Sequence, residues 1–272
     1  SGIIDVNSYM LSLVGKIEDS KGMIAYNSRI KKIVSKDKKF IVYVEGSQNS
    51  SIKCNYLINS AGIFASDVAH LIEELDQKYI PKTFYAKGNY FSTGKKLGFN
   101  HLIYPIPEGF GLGIHLTLEL DHTVKFGPDV EWVDNPNDYN VNVDRKHYFL
   151  KEILKYFPSF DKNLLQPSYA GIRPILNKKD KSMRDFKIQS FSDHSIPNLS
   201  QLVEVEAVMM MNGNAIMDNV YQNGDFVMDV MVLMVVVLPQ QLLMCGGHVI
   251  VMIARMKILI TVVNYHVQQM SM

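Results

Sequence analysis

Hydrophobic and polar residues follow two different periods along the first 203 residues of the chain. Apolar residues recur every three or four positions in "DVNSYMLSLVGKIEDS" and in "DRKHYFLKEILKYFPSF", where Pro158 ends the pattern. This spacing places apolar side chains on one side of an α-helix, so it predicts a helix in each segment. A third helix is expected at residues 66–75, shortly after the small residues of "NSAG".

The segments between these helices are rich in β-branched and aromatic residues, which predicts short strands. Three strands are expected early, in "GMIAYNSRIKKIVSK", "KFIVYVEG" and "SIKCNYLINSAG", and one late, in "DFKIQSF". Four more follow one another without a helix between them, in "YAKGNYFSTG", "NHLIYPIPE", "GLGIHLTLEL" and "TVKFGPDVEW". They predict a second, antiparallel sheet, and the whole pattern predicts a mixed α/β (α+β) fold.

The pattern is lost after Val203. Residues 204–272 contain 12 of the 15 methionines but only two of the 28 Lys and Arg residues, and their apolar residues follow neither period. The apolar runs are shorter than the roughly 20 residues that a membrane span needs, so no transmembrane span is expected. We expect this tail not to be native to the fold, as a frame shift or a misread exon would produce. A poorly patterned hydrophobic C-terminal subdomain is the alternative.

Composition narrows the class of protein. With 272 residues, of which 47% are hydrophobic, the chain is long enough for one large globular domain or two smaller ones. Its net charge of +1 creates no field of one sign, so nucleic acid is not expected as a partner. The two cysteines, Cys54 and Cys245, match no zinc-ligand spacing, so we expect reduced thiols and no metal site.

The segment "YLINSAGIFAS" contains a candidate ligand-binding turn. An apolar strand runs into Ser60, Ala61 and Gly62 before the expected helix. Small residues at such a turn let the backbone approach a ligand, and a helix N-terminus offers N–H groups to a phosphate or a flavin carbonyl. A tight turn that only connects a strand to a helix is the alternative. The dinucleotide-binding motif GxGxxG does not occur in the sequence.

Four polar residues of the second sheet lie in apolar or aromatic sequence, where a buried polar group needs a partner: Lys87, Tyr104, His115 and Arg173. Contact with a ligand would provide one. Alternatively, Lys87 extends to water, Tyr104 is a half-buried strand residue and His115 is a hydrogen-bonded core histidine. Arg173, fixed between a glycine and a proline, matches a carboxylate with two hydrogen bonds, but an internal ion pair would give the same sequence.

Taken in order, these segments resemble one enzyme family. The strings "SGIIDVNSYM", "LINSAGIFA", "KGNYFSTG", "LIYPIPEGFGLGIHLTLEL", "KFGPDVEW", "YAGIRPIL" and "DFKIQSF" resemble those of the plant-type FAD-dependent L-2-hydroxyglutarate dehydrogenases, within the group of flavoproteins like D-amino-acid oxidase. The resemblance covers about residues 1–203. The family's opening βαβ unit with GxGxxG should precede Ser1, and its closing "GIESPGLT"-like segment should follow Leu202, where this chain reads "VEVEAVMMMNGN".

The resemblance implies FAD as the cofactor and a division into domains. Residues 1–80 and 181–203 would belong to an incomplete FAD-binding, Rossmann-like domain, and residues 81–180 to a mostly antiparallel substrate domain, with residues 204–272 as an anomalous tail. Ser60, Ala61 and Gly62 would approach the flavin, and the backbone at Ile30 would pass the adenine.

The resemblance also implies a reaction. L-2-hydroxyglutarate would be oxidised to 2-oxoglutarate by hydride transfer from C2 to flavin N5, while a base takes the hydroxyl proton. Arg173 would hold the C1 carboxylate, His115 is the candidate base, and Lys87 and Tyr104 are candidates for the second carboxylate.

The partners would be this 2-hydroxy dicarboxylic acid and an electron acceptor, and the plant-type branch implies a mitochondrial location. Two alternatives to this function stay open. One is another flavoenzyme of the same group, acting on a 2-amino acid or on glycerol phosphate. The other is a non-catalytic fragment that at most binds a partner.

Overall fold

The computed structural model describes residues 3–19, 22–45, 50–106, 113–176, 187–203 and 250–254. The chain divides into two compact units. The antiparallel unit is Thr83–Arg184 with Ser1–Val6, and the mixed-sheet unit is Asn7–Lys82 with Asp185–Met272.

The mixed-sheet unit contains a long helix and two sheets. Helix α1 (Val6–Asp19) buries Met10, Leu13 and Ile17, which lie three or four residues apart. An antiparallel sheet consists of β1 (Ile30–Lys36), β2 (Lys39–Val44) and β3 (Ser50–Cys54), in that order. The second sheet combines β4 (Tyr56–Ser60) with β10 (Lys187–Gln189), β11 (Leu199–Val203) and β12 (Ile250–Ala254), in the order β10-β11-β4-β12.

In this second sheet, β11 and β12 both run parallel to β4, whereas β10 is antiparallel to β11. Helix α2 (Ala65–His70) follows β4, and the short helix α4 (Phe191–His194) lies between β10 and β11. Because its two neighbours are parallel to it, β4 ends at Ser60 on the edge of the sheet where those strands also end. Ligands of α/β proteins bind at such carboxyl ends.

The antiparallel unit is built on one five-stranded sheet and a helix. Its strands are β5 (Phe84–Ser92), β6 (Leu116–Leu118), β7 (Val124–Phe126), β8 (Glu131–Val133) and β9 (Gln166–Ile175), and its helix is α3 (Lys146–Tyr156). Strand β5 is central: β9 pairs along one edge, β8 and then β7 pair along the other, and β6 lies beyond β7.

The pairing register gives this sheet two different faces. Phe126 pairs with both Phe91 and Leu116, so the three side chains share one face, where they are fully buried. Phe149 and Ile153 of α3 belong to the same hydrophobic core. Since consecutive residues of a strand point to opposite faces, Tyr90 and Lys125 lie on the other face, which stays partly exposed.

Two predicted strands are each split in two by turn residues. The segment "SIKCNYLINSAG" forms β3 and β4, which belong to different sheets because the chain turns at Asn55. The segment "TVKFGPDVEW" forms β7 and β8, separated at Gly127–Pro128, where a proline cannot donate to a ladder.

Two further expectations are wrong for local reasons. In residues 100–106, "NHLIYPIPE" contributes a single bridge between Ile103 and Leu116 instead of a strand, since Pro105 lacks an N–H group. The helix expected at residues 66–75 ends at His70, because the chain beyond it pairs with β1 through a bridge between Ile33 and Ile72. The predicted helices α1 and α3 and the mixed α/β class are confirmed.

Most of the tail lies outside the described residues, so the expectation for residues 204–272 stays a prediction. Within the tail, residues 250–254 form β12 beside β4. Cys54 is a buried thiol, whereas Cys245 lies outside the described residues. Within the part of the chain that the structure describes, the helices are too short or too polar to cross a membrane.

Candidate functional site

The partly exposed face of the five-stranded sheet gathers most of the candidate polar residues. Arg173 of β9 pairs with Ala86 of β5, so it lies on the face opposite the core. Lys125 of β7 pairs with Thr117, and His115 lies two residues before Thr117, on the same face. We call this surface the aromatic face and define it by six residues: Tyr90, Tyr104, His115, Lys125, Tyr169 and Arg173.

Tyr90 lies at the centre of the aromatic face. Its ring stacks on the ring of Tyr169, with 4.5 Å between the centroids. Burial raises the pKa of the Tyr90 phenol well above its usual value, and Tyr169 and Tyr104 add to this increase while Arg173 opposes it. The Tyr90 hydroxyl therefore stays protonated at neutral pH and can donate a hydrogen bond to an anion.

Tyr104 and His115 form a second aromatic pair on this face. Their ring centroids are 4.2 Å apart and the rings are nearly parallel. The backbone bridge between Ile103 and Leu116 makes the two residues neighbours, with N–O distances of 3.0 and 2.9 Å. The stack fixes the plane of the imidazole, while Tyr104 is 58% exposed and accessible to a ligand.

Gly127 lies between this pair and Tyr90. Its N–H donates to the His115 carbonyl at 3.0 Å, and a Cβ at this position would lie 2.9 Å from Cδ1 of Tyr90. Its φ of 130° also favours glycine. The glycine therefore lets the Tyr90 ring approach the backbone that follows β7.

Arg173 has an open patch of sheet beside it. Gly171 pairs with Gly88, and a Cβ at Gly171 would have nothing within 4 Å. On the other side of β5, Trp132 pairs with Ala86, so Trp132 and Arg173 flank the same alanine. The missing side chain at Gly171 leaves room for a small ligand next to the guanidinium group, whereas Pro128 packs over Gly88, where a Cβ would lie 2.6 Å from the Pro128 Cβ.

Lys87 lies on the opposite face of the sheet. Its Nζ is 2.8 Å from Oδ2 of Asp138, 3.4 Å from Oε2 of Glu131 and 3.2 Å from the Asn140 carbonyl oxygen. Burial alone would lower the pKa of Lys87, but the two carboxylates raise it above the usual value. The residue is 3% exposed, so it does not extend to water, and the structure does not bring it to the aromatic face.

A second buried charge, Asp129, lies on the same side of the sheet as Lys87. Its carboxylate accepts from the Asn89 backbone N–H at 2.8 Å, from the Asn89 amide at 3.0 Å and from Arg145 Nε at 2.6 Å. These contacts tie together β5, the turn that leads into α3 and the segment between β7 and β8. The polar groups of this face therefore have one another as partners.

The predicted cofactor residues lie in the mixed-sheet unit, at the carboxyl end of β4. The Asn59 side chain holds the turn, since its Oδ1 accepts from the Ala61 N–H at 3.3 Å and its Nδ2 donates to the Ala65 carbonyl at 2.8 Å. Ser60 and Ala61 are buried, and Gly62 has a φ of 58°. Ile30 is buried at the start of β1, beside an irregularity in its pairing with β2.

Three buried amide side chains cross the sheet next to this turn. Asn59 Nδ2 donates to Gln201 Oε1, and Gln201 Nε2 donates to Gln189 Oε1, both at 3.4 Å. Gln189 Nε2 is buried and has no hydrogen-bond partner within the described parts of the chain. Sequence analysis missed this amide ladder, because glutamine in a strand usually indicates an exposed position.

Comparison with known proteins establishes the family. The family model described as FAD dependent oxidoreductase matches residues 1–197. The chain belongs to this FAD-dependent oxidoreductase family. Among curated relatives, the mitochondrial L-2-hydroxyglutarate dehydrogenase of Arabidopsis thaliana is 35% identical over 259 residues, covering 81% of this chain and 54% of that protein. The L-2-hydroxyglutarate dehydrogenase of Salmonella houtenae is 26% identical over 68% of this chain and 51% of its own length.

The chain therefore spans about half the length of these two relatives. Among solved structures, a dithionite-reduced L-α-glycerophosphate oxidase of Mycoplasma pneumoniae with FAD bound has a TM-score of 0.55 and 24% sequence identity. The similarity covers 66% of this chain and 45% of the oxidase. It shows that the chain shares the fold of this FAD-binding protein.

The turn after β4 fits the cofactor of this oxidoreductase family. Ser60, Ala61 and Gly62 carry at most a short side chain, so a ligand can approach their backbone closely. They lie at the carboxyl end of a strand with parallel neighbours, where nucleotide cofactors of α/β folds bind. The buried Gln189 amide nearby offers a hydrogen-bond donor to a polar ligand.

Sequence analysis also missed Tyr90 and Lys125. Tyr90 lies two residues after Gly88, so the two share one face of β5. Lys125 directly precedes Phe126, so it lies on the face opposite that residue. Period-two alternation with Arg173 and Phe126 would have assigned both to the aromatic face. The missing information was the register that relates β5, β7 and β9.

Proposed function

We propose that this chain takes part in the FAD-dependent oxidation of L-2-hydroxyglutarate to 2-oxoglutarate. The observation that carries the proposal is the position of Arg173, Tyr104 and His115 on one face of one sheet, around the protonated Tyr90. The similarity to two curated L-2-hydroxyglutarate dehydrogenases supports this choice of substrate.

In this proposal Arg173 binds the C1 carboxylate. A planar guanidinium group donates two parallel hydrogen bonds to a carboxylate, which fixes both the position and the orientation of the acid. The open position at Gly171, two residues before Arg173 on the same face, leaves room for the substrate beside it. Tyr104 donates a further hydrogen bond to the acid, and Lys87 supports β5 from the opposite face.

His115 acts as the base. As a hydride leaves C2, the C2 hydroxyl loses its proton to the imidazole, and the C–O single bond becomes the carbonyl of 2-oxoglutarate. FAD, when bound, accepts the hydride. An imidazole suits this role because it takes up and releases a proton near neutral pH. The stack on Tyr104 holds its ring in one plane.

We assign the cofactor contacts to the mixed-sheet unit, with Ser60, Ala61 and Gly62 near the flavin and the Ile30 backbone near the adenine. We also propose a mitochondrial location, because the relatives from Arabidopsis thaliana and Mus musculus are named mitochondrial enzymes. An oxidation of this kind would also need a separate electron acceptor.

Trp132 provides a test of this function. It is the single tryptophan of the sequence, and it lies across Ala86 from Arg173, so its fluorescence reports ligands that bind beside Arg173. We expect saturable quenching by L-2-hydroxyglutarate, and weaker quenching by its D-enantiomer and by L-glycerol 3-phosphate. After incubation with FAD, we expect a bound-flavin absorbance spectrum that L-2-hydroxyglutarate bleaches without oxygen.

Different outcomes would favour the other two functions. Stronger quenching by L-glycerol 3-phosphate, together with bleaching by that compound, would favour a glycerol phosphate enzyme, a function that curated relatives also carry. A folded chain that binds neither FAD nor any of these three compounds, the two enantiomers of 2-hydroxyglutarate and L-glycerol 3-phosphate, would favour a non-catalytic role.

A further inference from the structure

Lys125 is the second cation of the aromatic face. It pairs with Ser92 near the end of β5, whereas Arg173 pairs with Ala86 near its beginning. Strands β7 and β9 lie along opposite edges of β5, so the two cationic side chains come from opposite sides of it. Tyr90 of β5 lies between these two pairs in sequence and on the same face.

The surroundings of Lys125 form a site for a carboxylate. Its Nζ lies 5.3 Å from the ring centroid of Tyr169 and 6.0 Å from that of Tyr90, and it is 2.8 Å from Oε1 of Glu119. Burial alone would lower the pKa of Lys125, but hydrogen bonds to Glu119 and Tyr169 raise it above its usual value. Lys125 is therefore a cation at neutral pH, and its site already holds one carboxylate.

The carboxylate now on Lys125 is exchangeable. The Glu119 side chain is 46% exposed, and an ion pair with an exposed partner contributes little to stability, so another carboxylate can replace it at small cost. Lys87, on the opposite face, differs because it already contacts two carboxylates, whose combined negative charge exceeds its single positive charge. Of these two lysines, Lys125 is the one whose position and charge suit a second anion.

We propose that Lys125 binds the second carboxylate of the 2-hydroxy dicarboxylate while Arg173 binds the first, and that Glu119 leaves Lys125 when the acid enters. Lys125 then selects diacids over 2-hydroxy acids with an apolar end. This inference rests on the proposed function, which supplies a substrate with two carboxylates.

The experiment compares two acids with the same five-carbon chain, L-2-hydroxyglutarate and L-2-hydroxypentanoate, by Trp132 fluorescence on the full chain. Lys125→Met should weaken binding of the diacid by about 10- to 150-fold, because a charge-assisted contact is lost. Binding of the monoacid should change by less than about threefold. Lys125→Arg should retain part of the preference for the diacid.

Two further variants separate this role from a structural one. Glu119→Gln removes the competing carboxylate and should tighten diacid binding. Lys151→Met, on the exposed side of α3 behind the sheet, should leave both affinities unchanged. If Lys125 only paired with Glu119 for stability, Lys125→Met and Glu119→Gln would lower Tm and leave the preference for the diacid intact, which would overturn the inference.

A different result would overturn the proposed function. A wild-type chain that does not prefer L-2-hydroxyglutarate to L-2-hydroxypentanoate would overturn the function and, with it, the role of Lys125. A wild-type preference that survives in Lys125→Met overturns only the inference. Should Lys125→Met not fold, Glu119→Gln decides, because unchanged diacid affinity in that variant contradicts an exchange of carboxylates.

Discussion

At the scale of single residues, the aromatic face combines a permanent cation with a tyrosine that stays protonated. Arginine side chains are cationic in proteins, and Tyr90 keeps its proton because burial and two neighbouring phenols raise its pKa. Both groups therefore donate hydrogen bonds under all physiological conditions. A carboxylate, which only accepts, is the complementary ligand.

The first prediction concerns Arg173→Lys, which keeps the charge and removes the planar pair of donors. We expect the Kd for L-2-hydroxyglutarate to rise by about 10- to 150-fold, with FAD binding unchanged. Arg145→Lys is the matched control, because Arg145 donates to the buried Asp129 and should affect stability instead of affinity. A lower Tm with intact ligand affinity in Arg173→Lys would identify Arg173 as an internal ion pair.

The second prediction concerns His194, which is buried. Its Nδ1 accepts from the Ile196 N–H at 3.1 Å, and its Nε2 has no hydrogen-bond partner within the described residues. Burial lowers the pKa of His194 from 6.5, although Asp193 opposes the change. His194 therefore binds a proton at a higher pH in the unfolded chain than in the folded chain. As a result, the free energy of unfolding falls as the pH drops below about 6.5 and continues to fall until the pH passes the lower pKa of the folded chain.

His194→Asn retains an acceptor for the Ile196 N–H but does not titrate in this range. Its Tm should decline less than that of the wild type between about pH 7 and pH 5. Parallel declines of Tm in the two proteins would show that His194 does not contribute to acid sensitivity.

For single residues, the sequence identified which polar side chains are unusual better than it identified the face of the sheet on which each one lies. Arg173, Tyr104 and His115 stand out because each interrupts apolar sequence, and the structure gathers them on one face. Lys87 gives the same signal in sequence, yet its ammonium lies among carboxylates on the other face. The difference depends on acidic partners 44 and 51 residues away, which no local pattern contains.

At the scale of secondary-structure elements, the turn between β7 and β8 controls how closely Tyr90 packs. Gly127 has a φ of 130°, and a Cβ there would lie 2.7 Å from the Asn89 carbonyl oxygen as well as close to the Tyr90 ring. The contact with the carbonyl oxygen cannot relax unless the backbone of β5 moves, and the contact with the ring requires Tyr90 to change its position. The turn therefore couples the backbone of the sheet to the geometry of the aromatic face.

The third prediction is that Gly127→Ala destabilises the chain by about 1–3 kcal/mol and weakens ligand quenching of Trp132. Gly15→Ala in α1 is the control, because a Cβ there meets nothing within 4 Å. Alanine in a helix should stabilise the chain by about 0.5–1 kcal/mol. Equal unfolding free energies for wild type and Gly127→Ala in urea would show that the turn adapts and that the strain argument is wrong.

Elements with their own periodicity were predictable. Helices α1 and α3 follow from apolar spacing, and β2 from its β-branched residues. The breaks at Asn55 and Gly127 were not, because a long apolar run is compatible with either one strand or two. The choice depends on which sheet each half joins, and that is a tertiary property.

At the scale of the whole molecule, one sheet joins strands that are far apart in sequence. Strand β4 pairs with β11, more than 140 residues later, and with β12, nearly 200 residues later. The apolar residues after Val203 follow no clear period, so the sequence did not predict β12. Its pairing partner, β4, lies outside the tail. Among the strands that the structure describes, β12 lies at one edge of this sheet and β10 at the other.

The fourth prediction compares Met252→Pro with Ile253→Pro in β12. The N–H groups of adjacent residues point to opposite sides of an edge strand, so only one of these prolines removes a hydrogen bond to β4. That variant should lose about 1 kcal/mol of stability more than the other, and the β4 amides should exchange hydrogen faster. Wild-type stability and exchange in both variants would mean that β12 contributes nothing to this sheet.

The two faces of β5 constrain how this protein can change in length. Inserting or deleting one residue within β5 would turn every later side chain over, moving Phe91 out of the core and Tyr90 into it. Such a change would damage the core and the aromatic face at once. The exposed turn that follows, with glycines at 94 and 98 in left-handed conformations, carries no such alternation. Length differences between homologues should therefore collect in that turn and leave β5 the same length in all of them.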